Sequence, residues 1–213
     1  RNIPFDVWDN MDSLGGIPGE RSPDLAVLRR YPLIVWFTGY DWYAPILAQE
    51  ATALLAYLDG GGRLLLSSQD FLYYNNDSPL ARRFGVLRWN ESLNPTAAFG
   101  VPGHPAGGTW GPVKLEFPFY NWADAIEPVP GVVPITRGQL GQPLALAATE
   151  AISLARTLFY AFPLETLPFD ARATALEQGV GWLSPLGTSQ WTVAPTAPSP
   201  GERVTHTLVL VND

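Results

Sequence analysis

The sequence predicts an α/β fold with a mostly parallel sheet, interrupted by a β-rich insertion and followed by a β tail. Three observations carry this. Residues 33–37 (LIVWF) form an unbroken apolar run of strand length. Leu47, Ala51, Leu54, Leu55 and Leu58 recur at helical spacing and stop at Gly60, Gly61 and Gly62. A second apolar run follows at once, over residues 63–67. Strand, helix and strand in so short a stretch make a βαβ unit, whose strands are parallel and whose crossover is right-handed.

Taken in chain order, residues 5–8 alternate like a short strand, and residues 9–23 form a polar loop containing Gly and Pro. The 33–37 run lacks polar positions, as strands covered on both faces do. Residues 87–141 carry scattered Pro and Gly, short strand candidates such as 113–117, and no helical period, and they read as an insertion. The main pattern resumes with strands at 143–147 and 157–161, then a helix on which Phe169, Ala173, Leu176, Val180 and Leu183 share a face. Residues 194–201 are a Pro-rich linker and 204–211 alternate like an exposed strand, which sets a domain boundary near residue 190.

Composition narrows the function classes. The chain has 213 residues, 46% of them hydrophobic, which is enough for a core without staples. A net charge of -7 and no basic run longer than a pair argue against a nucleic-acid groove. No apolar stretch has the length of a bilayer span. The absence of cysteine excludes disulfides, Cys-ligated zinc and thiol catalysis. No dinucleotide fingerprint or P-loop is present, so no cofactor is expected; the glycine triplet precedes a strand and ends a helix.

Ligands of parallel sheets bind beyond the carboxyl ends of the strands, which directs attention to residues 38–43, 67–76 and 162–166. Ser68 stands at a strand-to-helix turn, where nucleophile elbows occur, but the elbow's glycines are missing. A serine hydrolase would need a base, and the candidates are Glu165 and His104, the latter in a Gly/Pro loop. The simpler reading makes Ser67 or Ser68 a helix cap. Asp41, Asp70 and Asp77, with Asn75 and Asn76, match no calcium-loop spacing and read as caps and turns, so no metal is expected. Asp6, Asp9 and Asp12 read as solvated loop residues.

Trp42, Tyr43, Phe71, Tyr73 and Tyr74 fall around this crevice, with Trp89, Trp110, Tyr120 and Trp122 in the insertion. Aromatic rings beside Asp41, Gln69 and Asp70 suit a carbohydrate, the rings taking its apolar face and the polar groups its hydroxyls. The competing reading, which is the simpler, is that the rings form the insertion's own small core.

The runs YPLIVWFTG at 31–39, LLAYLDGGGRLLLSSQD at 54–70 and RTLFYAFP at 156–163 resemble the class I glutamine amidotransferase-like, flavodoxin-like superfamily. The nearest members are trehalose-utilisation-type and related domains of secreted bacterial proteins. The resemblance covers about residues 3–185 apart from the insertion, and implies a flavodoxin-like three-layer sandwich. It also implies lost chemistry. The family's catalytic cysteine has its place at Ser67, Ser68 and Gln69, and its His-Pro-Glu element reads Phe162, Pro163, Leu164 and Glu165, so only the glutamate has a counterpart.

The family's first strand–helix unit is missing from this chain, which would leave an open edge beside residues 33–37. The tail from 200 to 213 resembles the opening strand of Ig-like repeats in bacterial surface proteins. The resemblance thus implies a non-catalytic binding or spacer module of a larger exported protein, at the cell surface or outside it. Expected partners are carbohydrate or neighbouring domains, with strand swapping or homodimerisation through open edges as a further expectation.

Overall fold

The βαβ unit forms where periodicity places it, in a computed structural model that describes residues 5–8, 22–184, 189–194 and 205–210. Strand β1 (Ile34–Phe37) runs parallel to β2 (Arg63–Ser67), with Ile34 opposite Leu64 and Phe37 opposite Ser67. A short helix, α1 (Leu25–Leu28), precedes them, capped by Asp24, which accepts the Val27 N–H at 2.8 Å. The crossover helix is α2 (Ala48–Asp59). Its entry is fixed by buried Glu50, whose carboxylate accepts the Leu47 N–H and the Ser22 hydroxyl at 2.8 and 2.7 Å. Its exit depends on the glycines: Gly61 has a φ of +83°, and a Cβ on Gly62 would lie 2.4 Å from the Tyr57 ring.

Two short helices follow, α3 (Phe71–Asn75) and α4 (Pro79–Arg83), the latter capped by Ser78 with Pro79 in its first turn. Next come β3 (Val86–Asn90), β4 (Ala97–Gly100), β5 (Val113–Lys114), β6 (Ala125–Pro128), β7 (Val133–Gly138), β8 (Pro143–Thr149) and β9 (Arg156–Tyr160). Helix α5 (Phe169–Leu183) and the strands β10 (Ser189–Ala194) and β11 (Thr205–Leu210) complete the described chain.

The sheet corrects the expected architecture. Its order is β1-β2-β9-β8-β7-β4-β5, and only the β1–β2 and β2–β9 pairs are parallel. The β9–β8, β8–β7, β7–β4 and β4–β5 pairs are antiparallel. This is a mixed, largely β structure, and the mostly parallel flavodoxin-like sandwich is not what the chain forms. The cause lies in the connections. The turns around Gly138–Gly141 and Glu150–Leu154 are too short for a crossover helix, so β7, β8 and β9 can only meander. Of the five helices among the described residues, three span only four or five residues.

Residues 87–141 are β-rich, as expected, but they are not a separate insertion. Strands β4, β5 and β7 extend the main sheet, while β3 and β6 form a two-stranded antiparallel ribbon beside it. Trp110 is buried and Trp89 packs against the core, each in one of the two clusters of the main sheet rather than in a small core of the insertion's own. Tyr120 and Trp122 are exposed.

Side chains of the central strands alternate between two faces of the sheet, both of them buried. Leu64, Leu66 and Phe159 join α2 and α4 on one face, and Leu65, Leu158 and Tyr160 join α5 and the buried Leu144 on the other. Strand β1 departs from the expectation of two covered faces. It lies at the margin of the sheet, and Val35 and Phe37 are 38% and 49% exposed. The run is apolar throughout, but Ile34 and Trp36 on one side are only half-buried and Val35 and Phe37 on the other are exposed.

Residues 5–8 form no strand; Phe5, Val7 and Trp8 are exposed, and Asp6 accepts a hydrogen bond from Tyr31. Asp9, Asp12 and the rest of 9–21 lie outside the described residues, as do residues 195–204, which include all but the first residue of the Pro-rich linker. The expected tail strand forms over Thr205–Leu210, and it pairs with β10 rather than with the edge at β1. No helix among the described residues is long and apolar enough to cross a membrane.

Candidate functional site

Beyond the carboxyl ends of β1, β2 and β9 the chain turns through three segments that hydrogen bonds lock together. The Ser68 N–H reaches the Tyr160 carbonyl at 3.1 Å, and the Thr38 N–H reaches the Ser67 carbonyl at 3.2 Å. Ser67, fully buried, donates to the Phe162 carbonyl at 3.1 Å and accepts the Leu164 N–H at 2.9 Å. Ser67 therefore staples the turn after β2 to the turn after β9. Neither serine caps a helix.

Ser68 is also fully buried, and its Oγ accepts a 2.7 Å hydrogen bond from Thr38 Oγ1. Glu165 is exposed, on the turn after β9, and its Oε1 lies over Gly39, where an added Cβ would come within 3.3 Å of it. His104 is elsewhere. Its Nδ1 accepts the Ala106 N–H, its ring packs 5.0 Å from that of Trp182, and burial, followed by the nearby Arg156, lowers its pKa. Arg156 pairs with Arg63 at the start of the parallel strands, whereas Ser68 follows their end. Four residues of strand, about 13 Å, separate the two ends, so His104 and Ser68 are not brought together.

The ligand-binding candidates do converge. Asp41 Oδ1 accepts the Tyr43 N–H at 3.2 Å, closing a local turn that presents Trp42 and Tyr43 outward. Ring centroids follow one another from Trp42 to Tyr43 at 5.9 Å, from Tyr43 to Tyr74 at 5.7 Å, and from Tyr74 to Tyr73 at 5.2 Å. Each ring stands edge-on to the next, at 71° to 73°, and all four are exposed. Gln69 Oε1 accepts the Trp122 N–H at 3.3 Å and so ties residues 118–124 to the same place. Tyr40 stacks on Phe119 at 4.9 Å beside them.

Two buried carboxyl groups belong to the segments just described. Asp70 is buried, and burial, with a smaller contribution from Glu91 and Asp41, pushes its pKa up to about 6 against an opposing hydrogen bond from Gln69. Asp124 is 1% exposed, and burial, followed by Glu91 and Asp70, pushes it up to about 9. Strand register explains the role of Glu91. Asn90 faces Ala125 across the antiparallel ribbon, so Glu91 and Asp124 are the next facing positions. Asp70 Oδ2 and both Asp124 carboxyl oxygens have no hydrogen-bond partner among the described residues.

Asp124 and Glu91 escaped the sequence reading. The available signal was an acid set between Ala123 and Ala125 at the head of an apolar strand. The remaining acids flagged as turn residues include Asp77, whose carbonyl accepts a bond from Arg82 at 2.8 Å. No cluster of three or more His, Cys, Asp or Glu side chains among the described residues is arranged to hold a metal.

No protein family model matches the chain, and no curated protein matches it. Solved structures do share its fold. Cytoplasmic protein STM3548 from Salmonella typhimurium superposes with a TM-score of 0.51 at 15% identity, over 75% of this chain and 72% of that one. The mmIFT52 N-terminal domain gives 0.51 at 15% identity, over 76% and 81%. The cold-adapted β-galactosidase from Rahnella sp. R3 gives 0.52 at 12% identity, over 76% of this chain but only 25% of that one. At these identities the likeness is one of fold.

Proposed function

We propose that this chain is a non-catalytic, amidotransferase-like binding module of a larger exported bacterial protein, and that it binds carbohydrate through the surface beyond β1 and β2. The observation that carries the reading is the continuous exposed run of Trp42, Tyr43, Tyr74 and Tyr73 beside Asp41. Exposed large rings on a scaffold fixed by the Ser67 staple offer contact area at little cost in conformational entropy. The lack of chemistry is supported by Ser68, which is buried against Thr38 with no histidine or carboxylate among the described residues hydrogen-bonded to it. The serine-hydrolase alternative loses its best base with His104 at the other end of the strands.

The test is a titration of tryptophan fluorescence against a panel of soluble polysaccharides. Trp42 and Trp122 are exposed reporters, at 64% and 46%. A saturable change lost in Trp42→Ala supports the proposal; a flat response to every polysaccharide overturns it.

A further inference from the structure

We propose that Arg63 and Arg156, with His104 beside them, form a second binding site, for a doubly charged tetrahedral oxyanion of the phosphate or sulfate class. The site lies at the start of the parallel strands, the end opposite the aromatic row, and does not depend on the carbohydrate reading.

Strand register and helix position bring these groups together. Arg63 opens β2, Arg156 opens β9, and the two are partners in the parallel pairing. Facing residues of adjacent strands point to the same side of the sheet, at a strand spacing of about 4.8 Å. Here that side is the one covered by α5. Arg63 Nη1 donates to the Leu183 carbonyl at 2.6 Å, and Arg156 Nη1 to the Trp182 carbonyl at 2.7 Å. Two guanidinium groups are thus held on consecutive carbonyls of one helix end. The Trp182 indole brings His104 beside Arg156, with Arg156 Cζ 5.3 Å and the imidazole centroid 5.0 Å from its own centroid. Because His104 Nδ1 accepts the Ala106 N–H, the neutral ring carries its hydrogen on Nε2, a further donor.

The end of α5 accounts for only part of this arrangement. A helix C-terminus leaves carbonyls unpaired and attracts cations, but a guanidinium has five N–H groups and the helix takes one from each arginine. Arg63, Arg156 and His104 are half-buried, and none of their remaining nitrogens is buried without a partner, so these reach solvent. Like charges at facing positions oppose each other, and no carboxylate among the described residues lies within ion-pair distance of either arginine. Arg83, by contrast, holds both Asp59 and Glu150. In a chain with 20 acidic and 13 basic side chains, a facing arginine pair left without a counter-charge calls for an anion from outside. A carboxylate is satisfied by one guanidinium fork, whereas two guanidiniums and an imidazole N–H match the charge of about -2 and the three free oxygens of a phosphate group.

The experiment is a calorimetric titration of the full chain with inorganic phosphate, sulfate, phenyl phosphate and acetate at constant ionic strength, at about pH 7.5, where phosphate is mostly dianionic. Phosphate and sulfate should bind saturably, about tenfold or more tighter than acetate. Arg156→Gln, which keeps a donor for the Trp182 carbonyl, should weaken phosphate about tenfold or more. His104→Asn, which keeps an acceptor for the Ala106 N–H and removes Nε2, should weaken it about threefold or more, and carries the comparison alone should Arg156→Gln fail to fold. Phosphate should also raise the melting temperature of the native protein and not that of Arg156→Gln. Arginines that only cap α5 would give no phosphate binding and no such rise, and that result would overturn the proposal. Acetate binding as tightly as phosphate would overturn the tetrahedral dianion, and phosphate affinity unchanged in both variants would overturn the site. Phenyl phosphate distinguishes the sources: its binding supports the site with a phosphate ester as ligand, and its exclusion supports the site with the free ion.

Discussion

Ser68 Oγ accepts a 2.7 Å hydrogen bond from Thr38 Oγ1 across the parallel β1–β2 pair, and no solvent reaches the serine. A nucleophile must present its oxygen to substrate and hand its proton to a base. Here the oxygen ties two strand ends together. Ser68→Ala should cost about 1 kcal/mol in urea denaturation, the value of one such bond, and remove no hydrolytic activity. Ester or glutamine hydrolysis by the purified protein, abolished in Ser68→Ala, would contradict this.

Asp124 makes stability pH-dependent with a definite sign. An unfolded aspartate ionises near 3.9, whereas burial beside Glu91 and Asp70 raises the folded group to about 9. Between those values the folded state holds a proton that the unfolded state has released, so stability falls as pH rises through that window. The slope attributable to this group is at most about 1.4 kcal/mol per pH unit. Asp124→Asn keeps the shape without the charge. Denaturation curves at pH 5 and pH 8 should therefore show the variant gaining on the native protein at the higher pH; parallel behaviour would refute the assignment.

The aromatic row should matter to binding and not to folding. Trp42 and Tyr73 are more than half exposed, so alanine at either should change stability by no more than about 0.5 kcal/mol. Affinity for a sugar ligand should drop about tenfold or more for Trp42→Ala, measured by calorimetry. A melting temperature that fell with the affinity would show the rings to be structural instead.

The first and last glycines of the triplet at the end of α2 should respond in opposite ways. An added Cβ on Gly62 would meet the Tyr57 ring at 2.4 Å and the Tyr57 carbonyl oxygen at 2.6 Å, so Gly62→Ala should lose about 1–3 kcal/mol. Gly60 has a φ of -82° and its nearest neighbour is the Tyr57 carbonyl oxygen at 3.4 Å. Gly60→Ala should stay within about 0.5 kcal/mol of the native protein or gain slightly by restricting the unfolded chain. Urea midpoints of the two variants give the comparison.

The local elements were legible because their signals are local. Helical spacing over Leu47–Leu58, the glycine stop and the apolar 63–67 run each follow from neighbouring residues. Strand direction does not. Nothing in the alternation of residues 143–149 says whether β8 runs with or against β9, and the expectation of a parallel sheet extended the βαβ unit too far. The overlooked evidence was the short, glycine-bounded turn at 138–141, which leaves room only for a hairpin. Similarly, 33–37 reads as doubly buried because periodicity cannot tell an edge strand with apolar residues on both faces from a central one.

At the candidate site, the residues near 38–43 and 67–76 were found because their position follows from the strands before them. Asp124 depends on the pairing of β3 with β6, which joins residues far apart in sequence. A single aspartate between alanines looks like any surface acid until that pairing is known. The buried carboxyl system is thus a product of topology, while the ring row can be read from composition.

The Ser67 hydroxyl grips the Leu164 N–H, 97 residues further along the chain. That separation carries a kinetic consequence: the floor of the site closes only through a long-range loop closure between β2 and the turn after β9. Local turns such as the β7–β8 hairpin can form early, but the β2–β9 seam must await a large loop closure and belongs to the slow end of folding. In a refolding experiment, the binding surface would therefore mature last, after most of the secondary structure is already in place.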